Sequence, residues 1–63
     1  MNAYKFIDIY GIDKAERVIS NLSFDYEWYS EKTGSYYSSQ KNDAVNIKKL
    51  KRAINDYEEM HRT

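Results

Sequence analysis

Near the C-terminus, Ile47, Leu50, Ile54, Tyr57 and His61 recur at spacings of three, four, three and four. At about 100° per residue they fall on one stripe of an α-helix, which Ala53 and Met60 widen. No other stretch of the 63-residue chain is both long and periodic enough to admit a single reading, so the other elements must pack on this one. The short side chains of Asp43 and Asn46 can each satisfy the orphan N–H groups at the helix start. Asn46 is preferred, because Val45 followed by Ile47 alternates as the end of a strand does.

The charges of this helix run against its dipole. Lys48, Lys49, Lys51 and Arg52 crowd its first half, and Asp56, Glu58 and Glu59 its second. The macrodipole prefers the reverse order by roughly 0.3–1 kcal/mol per well-placed charge. A solvated face tolerates that arrangement, since surface charges are worth little. A face that meets a partner explains it differently. The basic half suits phosphate or an acidic protein surface. Laid antiparallel on its own copy, the same helix pairs its basic half with its acidic half, as a two-fold dimer does.

A chain of this length makes one domain, residues 1–63, with a small core. The ordering cost of about 1.5 kcal/mol per residue nearly cancels the apolar gain at this size. There are no cysteines, so disulfides and thiolate metal sites are excluded, and self-association becomes the natural source of extra stability. Ten basic and ten acidic residues balance to zero, which gives no global field toward nucleic acid or a membrane. The balance is local: residues 1–31 hold three basic and six acidic groups, net −3, and residues 32–63 hold seven and four, net +3. No apolar run approaches the ~20 residues of a membrane span, and the start lacks a charged-then-apolar signal pattern. A reducing, cytoplasmic setting is expected. Asn21-Leu22-Ser23 is then a chance match to a glycosylation acceptor.

Residues 3–10, AYKFIDIY, read as a short helix that Gly11 stops, because glycine takes positive φ without steric cost. Ile12 can then fold back on Ile7. Asp13 reads as an N-cap with Glu16 as its capping-box partner, opening a second helix from Lys14 to about Asn21 that buries Ala15, Val18, Ile19 and Leu22. Helix, glycine, helix suggests a DNA-reading motif, which turns an apolar residue inward six positions after the glycine. That position is Arg17 here, so a plain helical corner is the better reading.

Residues 24–38 change period. Phe24, Tyr26 and Trp28 alternate with Asp25, Glu27 and Tyr29, as on a strand. Thr33-Gly34 supplies a turn, and Tyr36 and Tyr37 return as a second strand. A lone hairpin is marginal in water, so its aromatic face must lie on the helices. Ala44 and Val45 can add a third strand. The expected fold is thus α+β, a small single domain of two short helices, a β-hairpin and a long C-terminal helix. Trp28 is expected between hairpin and helix, with Ile7, Val18, Leu50 and Ile54 as core. The alternative is an all-α domain of three or four helices, with residues 23–32 helical.

Catalytic chemistry finds little to use. The single histidine, His61, stands two residues from the end, and the two glycines are twenty-three residues apart, so there is no phosphate loop. Asp25 and Glu27 share a strand face, which solvation explains better than paired acid–base work. Glu58 and His61 have the spacing of half a di-iron site but lack inward carboxylates from other helices. No catalytic residue, metal ligand or cofactor is implied.

The aromatic residues divide into core and surface. Phe24, Tyr26 and Trp28 are assigned to the core. Tyr29, Tyr36 and Tyr37 exceed what so small a core holds, and exposed tyrosines are typical interface anchors. With Lys48, Lys49, Lys51 and Arg52 they form the candidate partner-binding set. A protein partner is the expected use, with a homodimer as one form of it. Stacking of bases on the tyrosines with phosphate on the lysines is the alternative.

Three pieces, FIDIYGIDKAERVIS, WYSEKTGSYY and AVNIKKLKRAINDYE, come in an order that resembles small proteins encoded in the early regions of lambdoid bacteriophages. The resemblance implies a bacterial host cytoplasm and an accessory protein that alters host or phage development through contacts with a host or phage protein. It supplies no catalytic residues.

Overall fold

Helix α1 (Ala3–Tyr10) starts where Asn2 can cap it, its Oδ1 accepting from the backbone N–H groups of Tyr4 at 2.8 Å and Lys5 at 3.3 Å. The computed structural model describes residues 1–23 and 25–60. The helix buries Ala3, Phe6 and Ile7 and ends as expected at Gly11, which has φ +91° and donates its N–H to the Ile7 carbonyl at 2.8 Å.

The same glycine opens helix α2 (Ile12–Ser20), its carbonyl accepting from the Ala15 N–H at 3.2 Å. This corrects the expected start. Asp13 sits inside the first turn and caps nothing, and no side chain caps this helix. Its negative charge there still suits the helix dipole. Ile12, freed from the linker, packs on the core from the first turn of α2. Ala15 and Val18 are buried, while Ile19 and Leu22 are covered only in part.

Three short strands follow: β1 (Trp28–Ser30), β2 (Ser35–Tyr37) and β3 (Ala44–Asn46). The sheet is antiparallel in the order β2-β1-β3. Gly34, at φ +68°, closes the β1–β2 turn and donates to the Ser30 carbonyl at 2.7 Å. The hairpin and third strand are as expected, and the all-α alternative is not what the chain adopts.

The phase of β1 is the main correction. Tyr29 points inward, in register with Tyr36 on one side and Val45 on the other. It is 6 % exposed and packs edge to face on Phe6, with ring centroids 6.2 Å apart. Trp28 pairs with Tyr37 and Asn46, and strand alternation puts it on the opposite face, half-buried. Tyr26 lies before the strand and is 36 % exposed. Phe24 is outside the described residues. A one-residue shift of phase exchanges the two faces of a strand.

Helix α3 (Ile47–Met60) begins directly after β3. Asn46 caps it, accepting from the Lys49 N–H at 3.0 Å. Glu27 joins sheet and helix: its N–H donates to Tyr37 and its carbonyl accepts from the Ile47 N–H at 2.8 Å. Ile47, Leu50 and Ala53 are buried, and Ile54 and Tyr57 partly so. Met60 does not widen the stripe, being 78 % exposed, and His61 is outside the described residues.

Two tyrosine–aspartate pairs tie α3 to α1. Tyr4 donates to Asp56 at 2.6 Å and Tyr57 to Asp8 at 3.1 Å. The core between the layers gathers Phe6, Ile7, Val18, Tyr29, Val45 and Leu50. A run of rings crosses it, from Tyr10 to Phe6, Tyr29, Tyr36 and Tyr26, with successive centroids 4.8 to 6.2 Å apart. No helix among the described residues is long and apolar enough to cross a membrane.

Candidate interaction groove

The residues expected to meet a partner are distributed in three directions. Tyr29 belongs to the core rather than to a surface, which corrects its placement among the exposed tyrosines. Its hydroxyl reaches the edge of the core and donates to Glu31 Oε1 at 2.8 Å, and Glu31 Oε2 pairs with Lys14 at 3.3 Å. Burial first, then this hydrogen bond, pushes the Tyr29 phenol up to about 12. Tyr36 is half-buried and also faces inward, its hydroxyl donating to the Val18 carbonyl. Burial raises its pKa. Only Tyr37 lies on the other face of the sheet. There Thr33 shares a 2.9 Å hydrogen bond with its hydroxyl, and Lys41 stands 5.3 Å from its ring centre.

Lys48, Lys49, Lys51 and Arg52 are all exposed. At 100° per residue they fan across the whole solvent side of α3 rather than forming one stripe. Arg52 lies toward α1, where its charge acts on the Tyr4 hydroxyl. The Tyr4 phenol is raised nonetheless, chiefly by its hydrogen bond to Asp56. Lys51 lies toward α2 instead and borders a depression there, while Lys48 lines a neighbouring hollow.

That depression is larger than the hollow beside it along α3, and amphipathicity builds it. Val18 and Leu50 turn fully inward, leaving Ile19 and Ile54 half-covered between the two helices. These two isoleucines floor a groove of about 340 Å³ rimmed by Glu16 and Ser20 on α2 and by Lys51, Asn55 and Glu58 on α3. Lys51 also borders a second hollow of about 240 Å³, lined by Leu22, Tyr26, Ile47 and Lys48 with Asp25 and Glu27. Lys51 stands between the two hollows, each lined by apolar side chains and by charges of both signs.

Sequence reasoning singled out Lys48 and Lys51 and set Glu58 in the acidic half of an antiparallel pairing, but it placed Ile19 in the core and gave Glu16 and Ser20 no partner role. The signal was present in α2, where Ile19 lies at the border of the apolar stripe rather than in its centre. A larger hollow of about 530 Å³ beside Tyr4, Asp56, Glu59 and Met60 offers one apolar side chain, Met60. Among the described residues no group of three or more His, Cys, Asp or Glu could hold a metal ion. Comparison of the chain with protein-family models, with curated proteins and with solved structures returns no match in any of the three.

Proposed function

We propose that this protein is a non-enzymatic binding module that acts through protein–protein contacts at the α2–α3 groove. One observation carries the reading: an apolar floor of Ile19 and Ile54 lies under a rim of opposite charges. Interfaces combine an apolar centre with a polar rim in this way. The absence of cysteine and the single histidine of the sequence support a role without catalysis. The resemblance to lambdoid-phage early-region proteins supplies the setting, a bacterial cytoplasm in which the partner is a host or phage protein.

Capture from a bacterial lysate tests the reading. Ser20→Trp and Asn55→Arg change exposed rim positions and leave the core intact. Each should abolish capture of the protein that the parent retains, while Lys49→Ala should retain it. Equal capture by all four proteins would place the contact elsewhere.

A second reading follows from the exposure of Lys48, Lys49, Lys51 and Arg52 together with Tyr37 beside Lys41. These groups could hold single-stranded nucleic acid by phosphate contact and stacking. The acids Glu16, Asp25, Glu27 and Glu58 beside the lysines weigh against it. Such binding must weaken log-linearly with salt as counterions are released. No mobility shift with DNA or RNA at low salt removes it.

A further inference from the structure

We infer that the occupant of the α2–α3 groove is helix α3 of a second copy of this chain, related by a two-fold axis passing between Ile54 and Asn55. The inference rests on the groove being a protein-docking site and names what docks there. Among the described residues, Glu16, Lys51 and Glu58 form no ion pair, whereas Lys14–Glu31 and Lys32–Asp43 do. A partner of a single charge sign would meet its own sign on this rim. A copy of the chain brings both signs, in reversed order.

Lys51 and Glu58 stand seven residues apart, two helical turns, so they share one side of α3. About 10 Å of rise separates them, too far for them to pair with each other. The midpoint between them falls between Ile54 and Asn55. An antiparallel copy turned about that point sets Lys51 against Glu58 of its partner, and Glu58 against Lys51, in one operation. Ile54 then lies at the centre of the contact with Ile19 beside it. Each α3 fills the groove of the other copy, so α2 and α3 of both chains form a four-helix arrangement.

The rest of α3 agrees with this placement. Its first apolar stripe is consumed inside the domain, and Asp56 is engaged by Tyr4. Of the acidic cluster at residues 56–59, that leaves Glu58 on the groove side and Glu59 at the hollow beside Tyr4. A standard interface buries roughly 800 Å² per partner, whereas the apolar centre here is two isoleucines per copy. The dimer is therefore a weak, concentration-dependent one, and charge sets its orientation more than its strength.

Sedimentation equilibrium on the full chain, from low micromolar to high micromolar concentration, tests the inference. The parent mass should rise toward twice 7.6 kDa. Lys51→Glu and Glu58→Lys, each confirmed folded by circular dichroism, should weaken association at least about tenfold, because both symmetric pairs turn repulsive. An equimolar mixture of the two variants should associate again, since every introduced charge then meets its opposite across the axis. A parent that stays monomeric throughout, or a mixture that fails to recover, overturns the second copy as occupant. A monomeric parent that still captures another protein, and loses it on Ser20→Trp, overturns the copy and leaves the groove as a docking site. A dimer indifferent to Ser20→Trp overturns the copy as occupant, and the groove reading falls as well only if capture too is indifferent to Ser20→Trp.

Discussion

Tyr36, on the edge strand β2, donates its hydroxyl to the carbonyl of Val18, eighteen residues earlier in the last turn of α2. The last four carbonyls of a helix have no partner within it. The N–H that would serve Val18 belongs to Leu22, which bonds to Ile19 instead at 3.2 Å. A tyrosine from the sheet therefore closes the end of a helix and pins a three-residue edge strand to the helical layer. Replacing Tyr36 by Phe should keep the ring contacts and lose this bond, at a cost of about 1–2 kcal/mol in urea denaturation. An unchanged midpoint would mean that water serves the carbonyl equally well.

Leu50 is fully buried and sits where α3 meets the other elements, whereas Met60 projects from the end of the same helix. Leu50→Ala should cost about 2–5 kcal/mol, a large share of what so small a domain has. Met60→Ala should stay within about 0.5 kcal/mol of the parent. Thermal melts of both variants make the comparison directly.

The start of α3 distinguishes two neighbouring polar residues. Asn46→Ala removes the acceptor for the Lys49 N–H and should destabilise by about 1 kcal/mol. Asp43 makes only a 3.7 Å exposed ion pair with Lys32. Asp43→Ala should cost a few tenths of a kcal/mol at most. Reversed magnitudes would assign the cap to Asp43.

Tyr29 makes stability depend on alkaline pH. Its phenol titrates near 12 in the folded chain, against the ordinary value of 10.0 when unfolded. A raised folded value stabilises fully below the unfolded value, and that contribution is lost as pH rises from about 10 through about 12, where the unfolded chain releases a proton the folded one keeps. Solvent reaches the hydroxyl at the core's edge and screens it, so the contribution is at most about 2 kcal/mol. Tyr29→Phe should flatten the fall in stability between pH 9 and pH 12, measured by urea midpoints. A fall as steep in the variant would trace it to the other raised phenols, Tyr4, Tyr36 and Tyr57.

The elements were legible in the sequence because each rests on local chemistry. Ile47, Leu50, Ala53, Ile54 and Tyr57 form a stripe that only a helix can bury. Gly11 and Gly34 take positive φ at the two places where the chain turns. Asn46 offers its oxygen to an amide three residues away. Such signals act over a few residues, so they survive without knowledge of the fold.

What only the tertiary structure decided is the direction in which the sheet faces and what the surface charges surround. Alternation around Trp28 is equally regular in either phase. Tyr29 went inward because Phe6, Tyr36 and Val45 meet it there and Glu31 receives its hydroxyl at the core's edge. Asp13 lost its capping role because Gly11 could end one helix and begin the next. The groove was likewise out of reach of sequence alone. Ile19 and Ile54 are thirty-five positions apart, and Glu16 and Lys51 share a rim only because α2 packs beside α3. Local propensity and periodicity set the helices and turns, while the pairing of distant faces depended on which side chains the whole chain could bury together.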